Sequence, residues 1–98
     1  MDREAALDVL QRHADEIRSL GVTGLYLFGS TARDEAGSES DVDIFIDYDQ
    51  NSRFSLLTLS HLNLFLSEKL GVHADVGTRA SLHPRVEGAV MRDAVRVF

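Results

Sequence analysis

The stretch LYLFGSTARDEAGSESDVDIFID, residues 25–47, contains two apolar runs separated by a Gly-Ser turn and a polar loop. Its second apolar run includes two aspartates, Asp41 and Asp43, which are two residues apart. Charged side chains are rarely buried without a partner, and two like charges on one strand face repel each other unless a cation lies between them. The pair therefore indicates a metal site.

Successive side chains of a strand point to opposite faces, so the second apolar run divides into two sets. Residues two apart on one face are roughly 6.5–7 Å apart along the strand, which allows two carboxylates to hold one divalent ion or a pair of ions. One face is predicted to carry Asp41, Asp43, Phe45 and Asp47, and the other Val42, Ile44 and Ile46.

The Gly-Ser turn before these aspartates has the composition of a phosphate site. Gly29 allows a sharp turn and a close approach of the backbone to a ligand, and Ser30 occupies the position of a helix N-cap. The backbone N–H groups that follow would face an anion, and Arg33 can add a bidentate donor. Together with the two aspartates, these residues predict binding of a nucleoside triphosphate as its Mg²⁺ complex.

Two motifs at this spacing resemble a known family. The segments GSTAR, residues 29–33, and SDVDI, residues 40–44, resemble the signature of the polymerase-beta-type nucleotidyltransferase superfamily. More narrowly, they resemble the small MNT (minimal nucleotidyltransferase) antitoxins that accompany HEPN-type ribonuclease toxins. Residues 74–76 resemble the strand that carries the third carboxylate of the superfamily, here Asp75. One departure is Asp34, where the family usually has glycine, and its charge is expected to weaken triphosphate binding by repulsion.

The resemblance implies an activity and a partner. The expected reaction moves a nucleoside monophosphate, AMP from ATP, onto a hydroxyl of a HEPN-type toxin, with two Mg²⁺ ions as cofactors. Asp41, Asp43 and Asp75 are the expected catalytic and metal-binding residues, and Gly29, Ser30 and Arg33 the expected nucleotide-binding residues. An isolated acid in a strand is more often solvent-facing, but beside the strand that carries Asp41 and Asp43, Asp75 also qualifies as a general base for the incoming hydroxyl or as a ligand of the second ion. His73, beside it, is expected to be structural because hard Mg²⁺ prefers oxygen ligands.

Composition limits the other possibilities. Ninety-eight residues are expected to form one small domain, residues 1–98, with too few residues for a separate acceptor-binding domain. The net charge of −6 disfavours direct contact with nucleic acid and favours a basic protein partner. The chain has no cysteine and no apolar run of about 20 residues, so we expect a cytoplasmic protein that does not associate with membranes.

Apolar periodicity predicts an α/β fold with a central mixed sheet flanked by helices. The sheet is expected to be mixed because residues 28–41 are too few for a full parallel crossover. The predicted helices are residues 4–20, 30–34, about 54–70 and a last one that begins near Pro84. The predicted strands are residues 23–28, 42–48 and 72–76, with a polar loop at 35–40 and an apolar tail at 94–98.

Two questions stay open at this level. The helix at residues 54–70 is apolar on most sides, so it either lies deep in the core or offers a surface to another chain. The chain itself is either the expected enzyme, a binding antitoxin without catalysis, or the catalytic subunit of a two-chain transferase that modifies small molecules such as aminoglycosides. Arg79 and the other arginines of the last quarter are assigned to the solvated surface.

Overall fold

A computed structural model describes residues 1–35 and 41–98 of the chain. Most of the predicted polar loop, together with Ser40 of the SDVDI motif, lies outside these residues. No helix in the described part is long and apolar enough to cross a membrane. The elements in chain order are α1 (Arg3–Arg12), α2 (Ala14–Ser19), β1 (Val22–Phe28), α3 (Gly29–Ala32), β2 (Val42–Tyr48), α4 (Leu56–Leu70), β3 (Ala74–Thr78), a short 3₁₀ helix (Arg79–Ser81), α5 (Pro84–Asp93) and β4 (Val95–Arg96).

The four strands form one sheet in the order β3-β2-β1-β4. Strand β1 is antiparallel to both β2 and β4, whereas β2 and β3 are parallel. The prediction of a mixed sheet flanked by helices is therefore confirmed. In this order β2 lies between β1, which leads into the Gly-Ser turn, and β3, which carries Asp75.

The two faces of β2 differ as the alternation predicts. Val42, Ile44 and Ile46 are fully buried on the face that packs against the helices. The core on this side is completed by Leu10, Ile17, Leu62 and Leu66, all fully buried. The opposite face is more open, and it is the face that carries the aspartates.

Helix α4 is buried along one apolar stripe and exposed along another. One stripe, Leu62, Leu66 and Leu70, is buried in the core. Another set stays in solvent, with Leu56 82% and Leu57 83% exposed. The helix begins at a capping box between Ser55 and Thr58 and ends at Gly71, whose φ of 74° is the left-handed conformation expected of a glycine stop.

The predicted strand at residues 72–76 is shifted by two residues in the structure, where β3 covers Ala74–Thr78. Helix α4 satisfies the free backbone groups on the outer edge of this strand. Asn63 Oδ1 accepts a hydrogen bond from Val76 N at 3.0 Å, and Ser67 Oγ accepts one from Ala74 N at 2.9 Å. These two polar residues of α4 therefore hold the strand that carries Asp75.

One further prediction needs correction, and the structure adds a strand to the apolar tail. The single helix predicted at residues 4–20 is divided at His13 into α1 and α2, although Leu10 and Ile17 both remain buried on the same side. The sequence contains no proline or glycine at the break that would have revealed it. The tail at residues 94–98 contains strand β4, which pairs Val95 with Leu27 and Arg96 with Tyr26.

Candidate active site

Asp43 and Asp75 occupy aligned positions on neighbouring parallel strands. The register of β2 and β3 pairs their Cα atoms directly. Asp41 lies one residue before β2 and is exposed, with Oδ2 3.4 Å from His73 Nδ1. The sheet therefore brings the three expected carboxylates to one end of β2 and β3, and His73 lies at the rim of the same cluster.

The electrostatics of the cluster centre on Asp43, which is half-buried. Burial raises the pKa of Asp43 above its ordinary value, the negative charges of Asp75 and Asp41 raise it further, and Arg33 opposes the rise. Both desolvation and repulsion therefore disfavour the ionised form of Asp43. A cation at this position would relieve both costs.

The chemistry of the three carboxylates fits magnesium. Mg²⁺ takes oxygen ligands, and one or two carboxylates together with substrate phosphates are its usual protein environment. No group of three or more His, Asp or Glu side chains in residues 1–35 and 41–98 is arranged to hold a metal ion as it stands. The carboxylates are therefore electrostatic neighbours that do not form a closed cage, as is usual where a phosphate supplies the remaining ligands.

Gly29 lies directly against the Asp43 carboxylate. The register pairs Phe28 with Asp43, so the residue that follows Phe28 lies beside this side chain. Gly29 has φ of 70°, in the left-handed region, and a Cβ built there would collide with Asp43 Oδ2. Glycine is therefore required at this turn both by its backbone conformation and by the space that the carboxylate occupies.

Ser30 does not have the expected capping role. Helix α3 begins at Gly29 with Phe28 as its N-cap residue, and no side chain caps it. Ser30 is the second residue of this four-residue helix, and the extended residue before the helix is Phe28, the last residue of β1. Among the described residues no hydrogen bond of the Ser30 hydroxyl is found, so the hydroxyl is not engaged in holding the helix start.

Arg33, expected to contact phosphate, follows α3 directly. Its Nε lies 3.2 Å from Glu35 Oε2, and its Nη1 lies 3.7 Å from Asp93 Oδ2. The Arg33 side chain is 43% exposed. Solvent-exposed ion pairs contribute little free energy, so these pairs do not prevent the guanidinium from turning to a phosphate.

The Asp34 side chain points to the start of α1, and repulsion of a triphosphate would require it to point to the Gly29–Ser30 turn. Its φ of 59° is left-handed, which explains why glycine suits this position. Its carboxylate accepts a hydrogen bond from Arg3 N at 3.1 Å, in the first turn of α1. The earlier interpretation of Asp34 as a charge aimed at the phosphate turn is therefore replaced by a role in holding the start of α1.

This placement predicts the behaviour of two Asp34 variants. We expect Asp34→Gly and Asp34→Asn to change ATP affinity by less than about twofold, because the charge is screened and directed at α1. Isothermal titration with ATP and Mg²⁺ measures the effect. The asparagine variant keeps an oxygen acceptor and removes only the charge. Tighter ATP binding by this variant would therefore show that the Asp34 charge repels the triphosphate.

The sequence did not predict the ion pair between Arg79 and Asp47. Its Nε donates to Asp47 Oδ1 at 2.7 Å and its Nη2 donates to Asp47 Oδ2 at 2.9 Å, which raises the pKa of Arg79. Its guanidinium lies over the rings of Tyr26 and Phe45, 5.1 and 5.4 Å from their centroids. The ion pair covers Phe45, which also packs against the rings of Tyr26 and Phe28 and is fully buried on this face. The sequence did contain a signal for this contact: Asp47 lies on the same strand face as Asp41 and Asp43, and a partly buried carboxylate there needs a cationic partner.

The chain is similar to known proteins along most of its length. Residues 10–97 match the family described as "Nucleotidyltransferase domain". Over 90 residues the chain is 36% identical to the protein adenylyltransferase MntA of Thermococcus cleftensis, covering 91% of this chain and 89% of that one. A solved structure provisionally described as a minimal nucleotidyltransferase is 31% identical and superposes with a TM-score of 0.73, covering 97% of this chain and 95% of that one.

A solved toxin–antitoxin structure with AMP-PNP shares the fold, with a TM-score of 0.71 and 17% identity, covering all of this chain and 73% of that one. The fold and the similarity to these proteins define a class, the nucleotide-transferring enzymes. The chain belongs to the nucleotidyltransferase domain family. The resemblance to the minimal nucleotidyltransferases and the prediction of an enzyme are thereby confirmed.

Proposed function

We propose that this protein is a protein adenylyltransferase that moves AMP from ATP onto a hydroxyl of a HEPN-type ribonuclease toxin and so acts as its antitoxin. The observation that carries the proposal is the alignment of Asp43 with Asp75, with Gly29 directly against the Asp43 carboxylate. This is an acidic site beside a tight turn, on the open face of a sheet. It suits a triphosphate bound through a divalent cation.

In the proposed reaction the acceptor oxygen forms a bond to the α-phosphorus of ATP while the bond to pyrophosphate breaks. Asp75 orients the acceptor hydroxyl and receives its proton. The Gly29–Ser30 turn holds the leaving phosphates, and Arg33 adds positive charge to them. Asp41, Asp43 and Asp75 would hold two Mg²⁺ ions, which when bound neutralise the phosphates and the charge that develops during transfer.

A protein acceptor is supported by charge and surface. The net charge of −6 complements a basic partner such as an RNA-binding nuclease. The exposed side chains of Leu56, Leu57 and Leu64 suit contact with another protein. An added nucleotide would place negative phosphate on the toxin, where it repels RNA. The Thermococcus cleftensis relative named a protein adenylyltransferase and the structurally similar toxin–antitoxin complex support the same assignment.

The test combines the protein with a co-encoded HEPN-type ribonuclease, ATP and Mg²⁺. We expect mass spectrometry to show one or more AMP groups on the ribonuclease and a parallel loss of nuclease activity, both prevented by EDTA. The Asp41→Asn/Asp43→Asn double variant should leave the ribonuclease unmodified and active. Neutralisation that persists with the double variant would identify a binding antitoxin instead of an enzyme.

A further inference from the structure

A pocket lies beside the Gly29 turn, where the C-terminal end of α5 packs against the end of β1. It has a volume of about 260 Å³ and is lined by Phe28, Gly29, Arg33, Ala89, Val90 and Asp93. We call it the α5 pocket. Asp75 lies on β3, beyond the central strand β2. Because the proposed function places the acceptor hydroxyl at Asp75, the α5 pocket is on the side of the donor nucleotide.

Phe28 places the pocket next to the reacting part of the nucleotide. Its Cα is paired with that of Asp43 across β1 and β2. Its ring is half-buried and lies 5.6 Å from the ring of Phe45, on the face of the sheet that carries Asp43. A nucleotide whose α-phosphate lies at Asp43 carries its base one ribose away. The base is therefore within reach of the Phe28 ring, since neighbouring strands are about 4.8 Å apart.

The walls of the α5 pocket suit a flat, uncharged ring. Phe28 provides an aromatic surface, and Ala89 and Val90 provide small apolar side chains from α5. Stacking of a nucleobase on an aromatic side chain contributes about 1–3 kcal/mol. A mainly apolar pocket with a few polar groups that fix the orientation of the ligand is the usual form of a small-molecule site.

The charge at the end of α5 disfavours phosphate and favours an N–H donor. Because α5 ends at Asp93, the negative end of the helix dipole and its unpaired carbonyl groups lie here together with the Asp93 carboxylate. Asp93 Oδ2 lies 3.7 Å from Arg33 Nη1, which is longer than a hydrogen bond. Within residues 1–35 and 41–98 no hydrogen bond of the Asp93 carboxylate is found. The carboxylate can therefore accept a hydrogen bond from a ligand, most readily when Arg33 turns to the phosphates.

We propose that the α5 pocket is the nucleobase subsite: the base stacks on Phe28, and Asp93 accepts a hydrogen bond from the exocyclic amino group of the base. Adenine carries such a group, the N6 amine. This inference rests on the proposed function, which places the α-phosphate at Asp43 and the leaving phosphates at Gly29. It adds the residues that select the base.

Calorimetry in Mg²⁺ with three ligands tests the subsite. ATP has the base and its amino group, purine riboside triphosphate has the same ring without the amino group, and inorganic tripolyphosphate has no base. Asp93→Ala removes the acceptor, and Glu35→Ala is its matched control because Glu35 also pairs with Arg33. Phe28→Leu removes the aromatic ring, and Phe98→Leu removes a half-buried ring outside the pocket.

We expect the wild-type protein to bind ATP about tenfold more tightly than purine riboside triphosphate, and Asp93→Ala to bind the two equally. Glu35→Ala should keep the preference. Phe28→Leu should weaken ATP binding about tenfold and change tripolyphosphate affinity less than twofold, which also shows that the Gly29 turn remains folded. Phe98→Leu should change neither affinity.

Three results would overturn the proposal. The first is equal binding of ATP and purine riboside triphosphate by the wild-type protein, and the second is a preference for ATP that survives Asp93→Ala. The third is an equal loss of ATP and tripolyphosphate binding in Phe28→Leu. Variants of the pocket that raise the KM for the acceptor protein and leave ATP binding unchanged would assign the pocket to the acceptor and would overturn it as well.

These readouts separate the subsite from the proposed function. If the choice between the two triphosphates depends on Asp93 but no AMP is transferred to any acceptor, the subsite stands and the enzymatic assignment fails. If AMP transfer depends on Asp41 and Asp43 while neither Asp93→Ala nor Phe28→Leu alters ATP affinity or base preference, the enzyme stands and the subsite proposal fails.

Discussion

The Asp43→Asn variant is expected to unfold at a higher temperature than the wild-type protein and, at the same time, to lose nucleotide transfer. The stability gain follows from the raised pKa of Asp43, which burial and the charges of Asp75 and Asp41 cause. Asparagine has a similar shape without the charge, so it removes this cost. After solvent screening we expect a gain of about 0.5 kcal/mol, or roughly 2–4 °C in melting temperature.

The gain should depend on pH in a defined direction. A carboxyl whose pKa is higher in the folded protein than its ordinary value of 3.8 binds protons more tightly when folded. Wild-type stability therefore falls as the pH rises through the interval above that value, and the loss persists at neutral pH. The advantage of Asp43→Asn should be present at pH 7 and disappear in acid below the ordinary value.

Transfer should fall by a factor of about 10³ or more in the same variant, because, if Asp43 holds a metal ion as proposed, its loss removes several kcal/mol of transition-state stabilisation. Thermal unfolding in EDTA and AMP transfer in Mg²⁺ measure the two effects. Asp15→Asn makes the same change of charge at a fully exposed position, where the 3.6 Å contact with Arg18 is screened by solvent, so neither stability nor transfer should change appreciably. A destabilised Asp43→Asn variant, or one with wild-type transfer, would contradict the placement of Asp43 at the centre of the acidic site.

Gly29→Ala is expected to cost both stability and transfer. Alanine in the left-handed conformation costs about 1–2 kcal/mol relative to glycine, and its Cβ would also collide with the Asp43 carboxylate. We expect a total loss of about 2–3 kcal/mol in the free energy of unfolding. Displacement of Asp43 by the new methyl group should reduce transfer by about 10²-fold.

Gly71→Ala is the matched control for this variant. Gly71 has nearly the same φ, 74° against 70°, but a Cβ there meets nothing within 4 Å. Chemical denaturation of both variants therefore separates backbone strain, which they share, from the collision, which only Gly29→Ala has. Equal stability of the two variants, with full transfer by Gly29→Ala, would show that the close approach to Asp43 has no functional role.

Some features of the fold and site follow from local sequence alone. The alternation of apolar and acidic residues after position 41 determines which face of β2 is buried, because strand side chains alternate by geometry. Gly71 ends α4 because glycine accepts the left-handed conformation of a helix stop. The expected closeness of the Gly29 turn to Asp43 also holds in the structure, since it follows from pairing two strands joined by a short loop.

Other features depend on elements that are distant in sequence. Arg79 and Asp47 are 32 residues apart, and only the position of the turn after β3 above the sheet brings them together. The Asp34 carboxylate bonds to Arg3 because α1 begins beside the end of α3, which no local pattern encodes. Strand β4 exists as a strand because β1 offers it a free edge.

The sequence by itself thus determined the type of most elements, the buried face of β2 and the residues of the acidic cluster. The tertiary structure alone decided the break at His13 and the partners of Arg79 and Asp34. The physical reason is that periodicity and backbone conformation are properties of neighbouring residues. The partner of a polar side chain is instead set by which distant elements share a surface, and that depends on how the whole core packs.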